Sequence, residues 1–411
     1  MKSKKLSLKE NSIWNISGSV INALSQWALL ISIAKIGNSE MVGVFTLGLA
    51  ITAPIVLLLR FHLRNAVATD SINEYTFNEY FTARTISTIV FIIVMFVITL
   101  VYPVKLETSL VIFIISLAKS CESLSDIFHG QWQRLERLDL VAKSRIIKGV
   151  SSLIIFSLIL FFTGKLIWGT VGLLLVWFLV LYFYDYRITN QFMNINIVFN
   201  KKRQLTLLKL TLPLGVAQLI ASLNANVPRY FIEYYHGLDQ LGIFAGMIYI
   251  ITAGVNIIIA VEGAIIHQLS IWFQRNEMKA FIRLLTFLMV GVVAGSVLAI
   301  IIIHLFGEAI LTLIYNEEYA NYQQEFMILF IAGIFMYLNK FLETGLTATR
   351  KFIVQPYING IMLLLTILFS FIFIPRYGVI GVGYALIIIG ILQLCIRIMI
   401  LGLIIKRKHR V

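Results

Sequence analysis

Charged side chains are sparse in this chain. Where they interrupt long apolar runs, their spacing points to chemistry. Arg60 and Arg64 stand four residues apart at the end of one such run. On a helix that spacing sets both guanidinium groups on one face, where they can grip a phosphate or diphosphate in bidentate fashion. The competing reading is that both snorkel to lipid headgroups and fix topology. Lys119, Glu122 and Asp126 follow at spacings of three and four and share a helical face. They form either a polar stripe on a water-filled cavity, with Lys119 on substrate and Asp126 in coupling, or an internal ion-pair ladder.

Further along, Asn224, Asn226 and Arg229 lie in the segment Asn224-x-Asn226-x-Pro228-Arg229-Tyr230. Proline frees backbone carbonyls, and broken helix ends recur where irregular backbone lines a cavity. The run is therefore expected to end a span. The two asparagines can bind sugar hydroxyls or hold a neighbouring helix. Arg229 falls on a side with few basic residues, so topology does not explain it, and a substrate role is favoured. Lys340 and Glu343, three apart, are expected to pair. Arg397 stands alone in the last apolar run and needs a cavity or a carboxylate. Glu262, Glu343 and Asp126 are the candidates for ion coupling, and His267 beside Glu262 could titrate.

The elements that must position these residues follow from composition. The chain has 411 residues, 59% hydrophobic and 13% charged, against about 25% charged in an ordinary soluble domain. Its mean hydropathy is +0.89. Too little polar surface remains to cover a water-soluble globule, which excludes a soluble enzyme, a secreted scaffold and a disordered chain. The formal net charge of +14 is explained by basic cytoplasmic loops rather than by nucleic acid. The only cysteines, Cys121 and Cys395, imply no disulfide framework and no metal motif. No P-loop, sugar-nucleotide or zinc-protease motif occurs. No catalytic residue, metal site or cofactor is expected.

A membrane-crossing helix needs about 20 mostly apolar residues. That rule predicts an all-α integral membrane protein of twelve spans: 12–34, 40–61, 83–102, 108–128, 145–163, 166–186, 206–227, 240–266, 282–304, 325–345, 357–374 and 380–404. With the N-terminus inside, 26 basic residues, among them Lys2, Lys4, Lys5, Arg84, Lys148 and Arg410, fall on the inner side. Five, Lys35, Lys105, Lys165, Arg229 and Arg376, fall outside. This asymmetry puts both termini in the cytoplasm. The chain divides into an N-terminal lobe over 1–190, a basic linker over 191–204 and a C-terminal lobe over 205–411. The halves echo each other weakly: Gly149 then Gly169 and Gly172 in the first, Gly360 then Gly378 and Gly381 in the second. Two six-helix repeats are a transporter plan with the substrate site between them. The longest outer loop runs from about Leu305 to Gln324.

The stretch Leu63-Arg64-Asn65, the run from Glu122 to Asp126, and Gly130-Gln131, Gln133, Arg137 and Asp139 together resemble a known group. So do Leu212-Pro213-Leu214-Gly215, Ser222 through Tyr230, Gly242-Ile243-Phe244, and Pro375-x-Tyr377-Gly378-x-x-Gly381-x-Gly383. The chain is similar to Wzx-type oligosaccharide flippases, in the polysaccharide exporter family of the multidrug/oligosaccharidyl-lipid/polysaccharide flippase (MOP) superfamily. That resemblance implies a MATE-like V of two lobes, alternating access, and a bacterial cell-membrane location. The implied cargo is an undecaprenyl-pyrophosphate-linked oligosaccharide moved to the outer leaflet for capsule or O-antigen-like glycan. Partners would be membrane lipids and the polysaccharide polymerase and export machinery, with no nucleic acid. Inner-side Arg60 and Arg64 and outer-side Arg229 would bind the headgroup in successive states. The alternatives are a multidrug/cation antiporter of the same fold, which would carry acidic residues deep in its first lobe, a membrane enzyme polymerising surface glycan, which would need large outer loops, and a scaffold component of the export machinery.

Overall fold

The computed structural model describes residues 7–351 and 354–408. Lys2, Lys4, Lys5 and Arg410, counted above on the inner side, lie outside them. Every regular element among the described residues is a helix: α1 (Leu8–Ile36), α2 (Ser39–Leu59), α3 (Leu63–Thr69), α4 (Phe77–Val101), α5 (Leu106–Arg134), α6 (Leu138–Thr163) and α7 (Leu166–Val180). A π-helical turn, Leu181–Tyr186, joins α7 to α8 (Arg187–Phe192). Then come α9 (Lys201–Gln274), α10 (Met278–Ile314), α11 (Glu317–Ala320), α12 (Gln323–Ala348) and α13 (Val354–Lys408).

Starts are set by local chemistry. Ser7 caps α1 in a reciprocal pair: its Oγ accepts the Glu10 N–H at 3.2 Å, and the Glu10 carboxylate accepts the Ser7 N–H at 2.8 Å. Thr76 and Glu79 repeat the device at α4. Each such cap satisfies amides that the helix itself leaves unbonded.

Nine helices among the described residues are long and apolar enough to cross a membrane. The chain is a multi-pass membrane protein. α5, with Lys119, Glu122 and Asp126 in its middle, is not among the nine. Two of the nine are double elements: α9 bends at Gly237 (φ 81°) and α13 at Gly378 (φ 55°). Both bends use a left-handed conformation that glycine adopts without a Cβ clash. This corrects the expected end of the seventh span. The helix runs on through Asn224, Pro228 and Arg229, and Gly237, not Pro228, breaks it. α10 likewise continues to Ile314, so the first part of the expected outer loop, Glu308 included, is helical.

The chain forms two compact units, Met1–Ser222 and Leu223–Val411. In the first, α5 packs against α2, α3, α4, α6 and α7. A cluster including Leu63, Phe77, Phe128, Trp132 and Leu140 clamps α3 and α4 onto it. The loop after α3 is tied by Asp70, whose carboxylate accepts the N–H groups of Glu74 (2.9 Å) and Tyr75 (3.1 Å) and the Tyr80 hydroxyl (3.2 Å). Partial burial pushes the Asp70 carboxyl up, but these donors outweigh it and hold it below the usual carboxylate range. The irregular stretch at 193–200 is pinned to α4 through Asn78 and Thr82. In the second unit α10, α12 and α13 share a core around Leu285, Leu342, Leu346 and Ile389.

Candidate functional site

The first unit gathers charge around the middle of α5. The Glu122 carboxylate lies 2.8 Å from Lys119 Nζ and 3.3 Å from Arg60 Nη2. One turn on, Asp126 takes Arg64 Nη1 at 3.3 Å on one oxygen and Arg84 Nη2 at 3.5 Å on the other. Arg84 also donates to Ser123 Oγ at 3.3 Å, and Arg64 to Gln133 Oε1 at 3.4 Å. Lys119 rests over the Trp177 ring, 5.1 Å from its centroid. Four cations thus meet two carboxylates, an excess of two positive charges. A cavity of about 150 Å³ opens on this cluster, walled by Arg60, His62, Arg64, Asn65, Asp126 and Gln218.

The backbone that delivers the two arginines departs from expectation. Arg60 and Arg64 are not on one helical face. α2 ends at Leu59, Phe61 (φ 48°) and His62 (φ 53°) both take left-handed conformations, and Arg64 sits in the separate helix α3. Two such residues without glycine in succession are strained. They break the helix between α2 and α3, and α3 lies against α5. A Cβ on Gly130 would stand 2.8 Å from the Arg64 carbonyl oxygen, so only glycine admits this approach. The arginines converge through the step, each on its own carboxylate of α5.

Arg84 and Lys148, counted above with the inner-side basic residues, are buried instead. Arg84 is 0% exposed. Lys148 Nζ donates to Ser125 Oγ at 2.8 Å and lies 4.0 Å from Asp185. Asp185, on the π-helical turn and 0% exposed, accepts from Ser144 Oγ at 2.7 Å. That hydroxyl is in turn 3.0 Å from His129 Nε2. Sequence reasoning missed Arg84, His129, Lys148 and Asp185. The available signal was the small polar residues Ser123, Ser125 and Ser144 on otherwise apolar helices, which make room for a long polar neighbour.

In the second unit Lys340 does pair with Glu343, at 3.2 Å. Arg397 is not alone: its Nη2 lies 3.5 Å from the same carboxylate, and its Nη1 donates to the Asn339 carbonyl at 2.5 Å. Asn224 is engaged between helices, donating to the Asn359 carbonyl at 2.9 Å and accepting from Thr366 Oγ1 at 3.3 Å. Arg229 donates to Asn226 Oδ1 at 2.5 Å, and its buried Nε has no partner. No ion pair or hydrogen bond joins Arg229 to the Lys340–Glu343–Arg397 group among the described residues. Glu262 is half-buried and His267 exposed, and neither is drawn into either cluster. No group of metal-ligating side chains occurs among the described residues.

Residues 8–266 match a family described as polysaccharide biosynthesis protein. The chain is also 30% identical over 366 residues to the capsular polysaccharide biosynthesis protein CapF of Staphylococcus aureus, covering 88% of this chain and 91% of that one. The chain belongs to the polysaccharide biosynthesis protein family. Among solved structures, the lipid II flippase MurJ in an inward closed conformation superposes with a TM-score of 0.78 at 13% identity, covering 95% of this chain and 87% of that one. An inward-facing multidrug resistance MATE family transporter of the MOP superfamily gives 0.75 at 11% identity, covering 95% and 99%. A MOP superfamily transporter from Pyrococcus furiosus gives 0.60 at 13% identity, covering 96% and 95%. The fold is that of this superfamily, and the resemblance to its flippases drawn from the motifs agrees with the family match. These three solved proteins are transporters and a flippase, not enzymes.

Proposed function

We propose that the chain flips undecaprenyl-pyrophosphate-linked oligosaccharide repeat units from the inner to the outer leaflet of a bacterial cytoplasmic membrane. It does so by alternating access, supplying a capsule-like surface glycan. Membrane depth makes uncompensated charge costly, so an excess of two cations in the first unit needs an anionic guest. A diphosphate supplies it. That excess at Arg60, Arg64, Arg84 and Lys119 is the observation that carries the reading. The guanidinium groups can exchange a carboxylate for a phosphate oxygen with the same bidentate geometry. Arg229, with its buried Nε unpaired, takes the headgroup at a later stage, and Lys340 and Arg397 add one further net positive charge.

With the bends at Gly237 and Gly378 counted as span boundaries and α5 counted as a span, the helices support twelve crossings in two sets of six. The basic inner loops support cytoplasmic termini. A drug/cation antiporter would be expected to hold an excess of carboxylates in the first unit, where cations exceed them here.

Deletion of the gene should cause undecaprenyl-linked repeat units to accumulate on the inner leaflet. Arg60→Ala and Arg64→Ala should each lower export at least tenfold at unchanged protein level. Normal export in both variants would overturn the proposal.

A further inference from the structure

The second unit also carries a surface slot, formed where α10 leaves the turn after α9. A cavity of about 970 Å³ there is lined by Trp272 at the end of α9 and by Lys279, Arg283 and Phe287 of α10. It shares Ile282 and Thr286 with a second cavity of about 510 Å³. The second is a groove walled by Met289 and Val293 of α10, Leu338 and Leu342 of α12, and Leu401 and Ile405 of α13. One continuous slot therefore begins at two cations and runs along α10 over apolar side chains.

Lys279 and Arg283 are four apart on one face. Both are exposed, and neither has an ion pair or hydrogen bond among the described residues. From Lys279 to Val293 the helix rises about 21 Å, compared with about 40–45 Å for a whole bilayer including both headgroup regions. The slot is therefore about as deep as one leaflet. Trp272 stands at its mouth, where an indole suits the boundary between headgroup and acyl chain. The groove offers no cluster of polar side chains to hold a saccharide.

We propose that this slot binds an anionic glycerophospholipid of the surrounding bilayer. Its phosphate sits between Lys279 and Arg283, and an acyl chain lies in the groove between α10, α12 and the end of α13. Charge complementarity selects the headgroup. Depth and apolarity select a chain confined to one leaflet. The site lies within the second unit and does not depend on the flippase reading.

Gly402 provides a clean probe. It lines the groove, and a Cβ built on it meets nothing within 4 Å. Gly402→Leu therefore sends its side chain toward the slot from a position where the first added carbon meets open space. Purified full-length protein in neutral detergent would be titrated with phosphatidylglycerol, phosphatidylcholine and undecaprenyl diphosphate, with bound lipid read by native mass spectrometry. Phosphatidylglycerol should be retained over phosphatidylcholine. Lys279→Gln with Arg283→Gln should weaken it about thirtyfold, equivalent to about 2 kcal/mol at 1.4 kcal/mol per decade. Gly402→Leu should lose it while its melting temperature without lipid stays unchanged. Equal retention of the two phospholipids by the unaltered chain would overturn the proposal. So would a double variant within twofold of the parent, or preferential filling of the slot by undecaprenyl diphosphate.

Discussion

Arg84 shows how much one side chain can carry. It is fully buried and holds one oxygen of Asp126 while Arg64 holds the other. Losing it leaves Asp126 to the partly exposed Arg64 alone and strips Ser123 Oγ of its buried donor, and a buried carboxylate deprived of a partner costs several kcal/mol. Arg84→Met should thus lower unfolding stability by about 3 kcal/mol, with Arg84→Lys recovering part of it, as read by thermal unfolding in detergent. Arg64→Ala, at the more exposed cavity wall, should cost less stability and more transport. Asp70 makes a different prediction. Its carboxyl is held below the ordinary value of 3.8, so its contribution is complete above that value and is lost as pH falls through the lower folded value. Asp70→Asn should be less stable than the parent at neutral pH and flatter on the acid side, measured by thermal unfolding across pH. The stripe Lys119, Glu122, Asp126 was legible because its members share one helix. Asp185 and its partners were not, because they come from three elements, the π-helical turn, α5 and α6, and only packing brings them together.

Helix identity and rough limits could be read from hydropathy, since the apolar runs exceed what any strand needs. The junctions could not. Nothing in Phe61-His62 announces a left-handed step, since neither residue is glycine, asparagine or aspartate, the usual occupants of that region. Pro228 looked like a helix end yet lies inside α9, while Gly237 makes the bend. Gly130 turns out to matter for the approach of α3 to α5. Gly130→Ala should push α3 away and cost about 1–3 kcal/mol, as overpacking does, together with a loss of export. Gly291→Ala, where a Cβ meets open space, should be neutral or stabilising by about 0.5–1 kcal/mol because alanine is the better helix former. Similar losses in both variants would mean that the helix interior, not the close approach, is what glycine serves.

For the molecule as a whole, composition alone established a membrane protein, and the motifs placed it in its family. The basic linker at 191–204 and the faint glycine repeat lead to an expected boundary there, whereas the two compact units divide at Ser222–Leu223, within α9. What hydropathy could not reveal is which spans depend on others. α5 carries three ionised groups in its middle, and each costs about 2.5–3.5 kcal/mol at a helix centre by insertion scales. The guanidinium groups that neutralise its acids, Arg60, Arg64 and Arg84, all precede it in the chain. During synthesis they are therefore waiting at the translocon when Glu122 and Asp126 emerge. α5 presented alone to a membrane-insertion assay should be rejected, and the same segment behind α2 to α4 should be accepted. On the twelve-span reading proposed above, biogenesis has an obligatory order, with counter-ions delivered first and the charged helix admitted only as their guest.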